Sequence, residues 1–228
     1  MPRILFVFAT VSLALIACKT PEIDDKPAAD VQDVEPAANP CANPCGAADA
    51  KASEATEMSG AIPDGDKLTV VAAESKISFI GAKVTGTHDG GFKQFSGNAV
   101  AKDGAPLFTQ FTIQTNSLWA DKEKLTGHLQ SPDFFDVEKY PTASFMAGPK
   151  GFKKGEGNNY EVTGILDLHG VKKVVTFPAT ITFTDLGAML KAEFKIKRFD
   201  FQLVYPGKPD DLIKDDVAIL LDMAFTKG

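Results

Sequence analysis

From Lys67 onward, apolar and polar residues alternate with a period of two, the signature of strands with one wet face. Met189–Lys197 shows it most cleanly, with Leu190, Ala192, Phe194 and Ile196 on one side and Lys191, Glu193, Lys195 and Lys197 on the other. Similar runs span Leu68–Ala73, Lys76–Val84, Gly91–Ala101, Leu107–Ser117, Thr142–Ala147, Tyr160–Leu168, Val171–Phe177, Ala179–Thr184 and Val217–Phe225. Gly157-Asn158-Asn159 and Asp185-Leu186-Gly187 read as hairpin turns. About eight to ten strands in sequential pairs predict an all-β fold, an antiparallel barrel or sandwich. The basic run Lys195-Ile-Lys-Arg198 reads as the wet face of a strand.

Ala120–Tyr140 breaks the alternation. Leu125 and Leu129 stand four apart, a helical spacing. Ser131-Pro132-Asp133 reads as a helix start, with a capping serine, proline at the first position and an acid near the positive end. Phe134, Phe135 and Trp119 make the segment too apolar for a plain surface crossover, so a short helical insert is expected to cover one mouth of a barrel.

The chain of 228 residues divides into three parts. A charged start, Arg3, precedes an apolar run from Ile4 to Ala17 that closes on Leu15-Ile16-Ala17-Cys18. This predicts a signal peptide over 1–17 whose cleavage leaves an acylated Cys18, because the run is short of the ~20 residues that span a bilayer. Residues 19–66 hold 11 Asp/Glu against 3 Lys, a net of −8, with 11 Ala, 6 Pro and no aromatic residue. Such a segment has too little apolar surface to offset its ordering entropy, so 18–66 is read as a disordered tether. The folded part, 67–228, holds 19 acidic and 20 basic residues; a net of +1 argues against a nucleic-acid partner. Lys19 beside the anchor, where an aspartate would favour inner-membrane retention, tips the expected location to the outer membrane facing the periplasm.

Candidate chemistry is sparse. Cys41 and Cys45 leave three readings: a local disulfide or idle thiols, a crosslink to a partner, or a soft-metal site without histidine. His88, His128 and His169 lie 40 or more residues apart with no metal-ligand spacing, so no metal and no cofactor are expected. His88 reads as a residue before a turn and His128 as a helix residue; either can reach a polar head group. His169-Gly170 reads as a turn, and Asp133 as helix-end charge rather than half of a hydrolytic pair. Neither Gly-x-Ser-x-Gly nor a phosphate loop occurs, and no catalytic constellation assembles, so the chain is not read as an enzyme. Either sheet edge can pair with a second copy, which leaves a homodimer open.

The stretch from Leu125 to Phe145, with its His-Leu, Ser-x-Asp-Phe-Phe-Asp and Tyr-Pro-Thr-Ala-x-Phe, resembles the signature of the YceI-like family. Gly86-Thr-His-Asp-Gly-Gly-Phe92 with Phe95-Ser-Gly97, and Gly164-Ile-Leu-Asp-Leu-His-Gly-Val171, support the resemblance, which covers about 67–227. It implies a lipocalin-like antiparallel barrel of about eight strands that is exported, holds the tail of a prenyl-quinone or prenyl-phosphate, and has no established catalytic residue. Many members carry an Arg-Asp pair before the His-Leu; here the region reads Ala120-Asp121-Lys122-Glu123-Lys124, which passes the basic role to Lys122 or Lys124. Pro206–Ile213 is an elaboration expected at a mouth.

Of 17 Phe, 14 lie between Phe79 and Phe201, an aromatic weight that suits a hollow apolar barrel. The expected lining is Phe79, Phe111, Ile113, Trp119, Leu125, Leu129, Phe134, Phe135, Leu166, Phe183 and Phe194. The chain is thus expected to be a membrane-anchored isoprenoid-lipid binder serving transport, storage or envelope stress protection. The alternative is an envelope module with a filled barrel that binds protein partners.

Overall fold

A computed structural model describes residues 23–34, 62–209 and 211–228. The expected signal peptide, Cys18 and the Cys41/Cys45 pair lie outside the described residues.

Fourteen strands and one α-helix occur among the described residues. In chain order they are β1 (Asp30–Asp33), β2 (Asp66–Val70), β3 (Lys76–Lys83), β4 (Gly86–Phe92), β5 (Phe95–Lys102), β6 (Ala105–Gln114) and β7 (Leu118–Ala120). After helix α1 (Glu123–Gln130) come β8 (Thr142–Ala147), β9 (Phe152–Lys154), β10 (Asn159–Leu168), β11 (Val171–Thr184), β12 (Gly187–Lys197), β13 (Gly207–Lys208) and β14 (Asp211–Lys227).

Antiparallel pairing runs β12–β11–β10–β8–β6–β5–β2–β14 and returns to β12, a closed barrel of eight strands. The fold class expected from the alternation is therefore present. Strand β14 is shared: its end pairs β2 and its middle pairs β3, which continues to β4 and β7. In β12 the buried side is Ala188, Leu190, Ala192, Phe194 and Ile196, the apolar phase of the sequence.

Turn chemistry sets the hairpins. His169 (φ 55°) and Gly170 (φ 74°) are the two loop residues between Leu168 and Val171, the left-handed pair that matches strand twist. Asp185-Leu186 links β11 to β12 in the same number of residues. The expected strand Gly91–Ala101 divides instead at Lys93-Gln94, and His88 sits within β4 rather than in a loop.

The sequence splits Val171–Phe177 from Ala179–Thr184 at Pro178, yet β11 runs unbroken through it. One flank of β11 pairs β1 through residues 173–176 and β12 through 180–184. Pro178 stands between those partners, where a missing N–H costs no ladder bond on that flank.

That same flank explains a correction to the tether. Beyond Lys191, β12 no longer pairs β11, and the two strands splay. Residues 27–33 fill the gap. The Ala29 N–H donates to the Lys195 carbonyl at 2.8 Å, and the Lys195 N–H donates to the Pro27 carbonyl at 2.9 Å. Then β1 pairs β11 antiparallel over Asp30–Asp33. Upstream, Ile23 is buried outside the barrel wall against Ile80, Ala82 and Ala218. Salt bridges Lys26–Glu193, Asp24–Lys214 and Asp33–Lys173 fasten the segment. Polar composition made 23–34 look structureless, but one Ile and a free strand edge suffice to order it.

Candidate functional site

The barrel is filled at one end and hollow at the other. Near the β5–β6 and β11–β12 turns, Phe108, Phe152, Ile181, Phe183 and Phe225 leave only about 20 Å³ between them. Toward the opposite end lies a cavity of about 450 Å³. Its wall comes from the inward phase of the strands: Ile77 and Phe79 of β3, Phe111 and Ile113 of β6, Phe145 of β8, Leu166 of β10, Phe177 of β11, Phe194 of β12, and Ile219 and Leu221 of β14. Phe177 and Phe194 stack at 4.2 Å between the two splayed strands, behind residues 27–33. Two glycines let rings lie across strands: a Cβ at Gly90 would meet the Phe79 ring at 2.3 Å, and one at Gly164 the Phe145 ring at 2.4 Å.

Helix α1 covers the open end. Its Leu125 and Leu129 pack with Leu118, Phe134, Phe135 and Tyr205, so the i, i+4 pair does bury one helix face. The Thr126 hydroxyl accepts the Ala120 N–H at 2.8 Å near the helix start. Ser131 ends the helix rather than starting one. Its hydroxyl donates to the His128 carbonyl at 2.7 Å, and Pro132 disfavours helical geometry at the residue before it. Asp133 is accordingly not a helix-start charge; its carboxylate accepts from His128 Nε2 at 3.0 Å.

Nine of the eleven expected lining residues border the cavity: Phe79, Phe111, Ile113, Leu125, Leu129, Phe134, Phe135, Leu166 and Phe194. Trp119 does not. In three-residue β7 the inward position is Leu118, and alternation turns Trp119 away. Phe183 faces inward but at the filled end. Of the polar candidates, His88 and His128 border the cavity, whereas Lys122, just before α1, and Lys124, in its first turn, are exposed and do not. Phe92, Phe145, Phe177 and Tyr205 line it without having been singled out. The first three follow from strand phase once register is known; Tyr205 sits in an irregular segment with no periodic signal.

Arg198 corrects the reading of the basic run. It is 4% exposed and borders the cavity, on a 3-10 turn after β12. Its Nε donates to the Lys214 carbonyl at 3.0 Å, Nη2 to Ile213 at 3.1 Å, and Nη1 to Leu203. Burial lowers its pKa from the usual value, while Asp215 nearby opposes that shift. The guanidinium thus stitches turn 198–203 to the start of β14 and shapes the rim. His169 lies away from the cavity, its Nδ1 3.3 Å from the Phe201 carbonyl and its ring against Tyr140. No cluster of three or more His, Cys, Asp or Glu suited to a metal occurs among the described residues.

A closed antiparallel barrel with an apolar cavity under a short helix defines a lipocalin-like barrel rather than a sandwich. The family model of the YceI-like domain matches residues 68–225. The chain belongs to that family. A UPF0312 protein of Pseudomonas putida strain W619 is 33% identical over 140 residues, 57% of this chain and 71% of that one. Among solved structures, Burkholderia cenocepacia BcnA is 25% identical with a TM-score of 0.61, over 68% of this chain and 98% of its own. A polyisoprenoid binding domain from Saccharophagus degradans, at 18% identity and a TM-score of 0.59 over 71% of this chain and 98% of its own, shares the fold.

Proposed function

We propose that this protein binds an isoprenoid lipid, with the hydrocarbon tail in the barrel cavity and the head group at the rim beneath α1. The observation that carries the reading is the 450 Å³ cavity itself, walled by aliphatic and aromatic side chains and closed at its far end. A filled barrel, the alternative, has no such space. Taking about 30 Å³ for a water-sized group, the cavity holds roughly fifteen carbon-sized groups, about three isoprene units. Burying several hundred Å² of tail at ~25 cal/mol per Å² gives a gross gain on the order of 10 kcal/mol before binding costs. Membership of the YceI-like family and the fold shared with a polyisoprenoid binding domain agree with a hydrocarbon ligand.

The protein is further proposed to act in the cell envelope, held by lipid on Cys18 to the outer membrane and facing the periplasm, as a carrier, store or protectant of its lipid. The Leu15–Cys18 sequence that closes a 14-residue apolar run supports that placement. Its role is binding, not catalysis.

Native mass spectrometry of the full chain from its source membrane, followed by solvent extraction, tests the reading. A stoichiometric adduct of prenyl-lipid mass is expected. A bare mass that stays bare after incubation with prenyl lipids would reject it.

A further inference from the structure

The two histidines at the cavity rim are each paired with a carboxylate, and that pairing restricts the head group. Nδ1 of His88 lies 3.0 Å from both carboxylate oxygens of Asp121. Nε2 of His128 lies 3.0 Å from Oδ2 of Asp133. An ionised carboxylate only accepts hydrogen bonds, so each imidazole holds its proton on the nitrogen facing the acid. In the neutral ring the other nitrogen, Nε2 of His88 and Nδ1 of His128, then presents a lone pair. Neither has a hydrogen-bond partner among the described residues. Both pairs sit at the rim: the histidine side chains are 20% and 36% exposed, and both rings border the cavity. Arg198, the buried cation, gives one N–H from each of its three nitrogens to a main-chain carbonyl, which fixes its plane at the rim, and Lys83 is engaged as well.

Building on the lipid-binding reading, we propose that the rim selects a neutral head group that donates a hydrogen bond, the hydroxyl of a prenol or a quinol, over a phosphorylated one. A hydroxyl gives its proton to an imidazole lone pair. A phosphate brings acceptors where the rim offers acceptors, and two carboxylates stand behind them. Neither His–Asp pair carries net charge when the histidine is protonated, so neither supplies the net cationic site that phosphate recognition uses. Asp121 and Asp133 are positioning residues here, acting through the histidines.

The test is competitive binding of farnesol and farnesyl monophosphate to the full chain at a pH of about 8. Farnesol is expected to bind about tenfold tighter or more. The double variant Asp121→Asn with Asp133→Asn is expected to bring the two within about threefold, through loss of carboxylate repulsion. Nitrogen-15 shifts of the imidazoles in the unliganded protein supply a second readout, with Nδ1–H expected for His88 and Nε2–H for His128. Equal or tighter binding of the phosphate by the native chain, or the opposite tautomers, overturns the proposal. Failure of both lipids to bind a folded protein instead rejects the lipid-binding reading, and this proposal falls with it.

Discussion

Residues 23–34 close the side of the barrel without being part of its ring, so they should open without unfolding it. The ring is joined by five β11–β12 pairs that do not involve them. Ile23→Ala is the cleanest perturbation. The side chain is 3% exposed and packs on Ile80, Ala82 and Ala218. Removing three carbons at about 0.8 kcal/mol each loses about 2.4 kcal/mol, and a residual cavity adds to this. Because the segment can relax over the wall, about 2–3 kcal/mol is the expected loss. At 1.36 kcal/mol per decade, that speeds exchange of strap amides by about 30- to 150-fold, where opening is in fast equilibrium. The reporters are the amides of Ala29 and Lys195, which bond across the gap. Amides of the β10–β11 ladder over Val162–Phe177 serve as the internal control. Ile23→Leu should be nearly silent. Native-state hydrogen exchange decides the matter. If Ala29 exchange does not change, Ile23 does not anchor the segment. If control and reporter amides accelerate equally, the segment and barrel open as one unit and the reasoning fails.

Ile219→Trp projects a large ring into existing space, so prenyl-lipid binding should fall at least tenfold while the unfolding midpoint shifts by about 1 kcal/mol or less, as read by ligand titration and urea melts. Arg198→Met strands the carbonyls of Leu203, Ile213 and Lys214, and should cost about 3 kcal/mol or more in urea unfolding. Asp216 is held below the ordinary carboxylate value of 3.8 by its hydrogen bond from Lys195, with Lys197 adding to the effect against burial. A lowered folded-state pKa means that its contribution is present above pH ~4 and lost as pH falls through the lowered value. Asp216→Asn should therefore flatten the acid limb of stability against pH, and an unchanged limb in acid titration would remove Asp216 from that account.

What the sequence revealed was what local periodicity encodes. Leu190, Ala192, Phe194 and Ile196 needed only period two, and Leu125 with Leu129 only the helical step. The lining was legible to the same extent: wherever a long strand fixed the phase, as at Phe111, Ile113 and Leu166, the inward residue could be named. Trp119 went astray because a three-residue strand carries too little pattern to set its phase. Phe183 had the right phase, but depth along the barrel axis depends on register among several strands and is invisible locally. Residues 23–34 show the same limit on a larger scale. Their composition forecasts no fold of their own, and they have none; their order is supplied by an edge that exists only where β11 and β12 part. Arg198 joins them, since a basic residue after alternating lysines looks wet until a turn carries it inward. Phase was thus local, whereas depth, closure and rim charge arose from pairing distant in sequence. The rim is where specificity for a head group must reside, because an apolar wall distinguishes tails by length and width but not by chemistry.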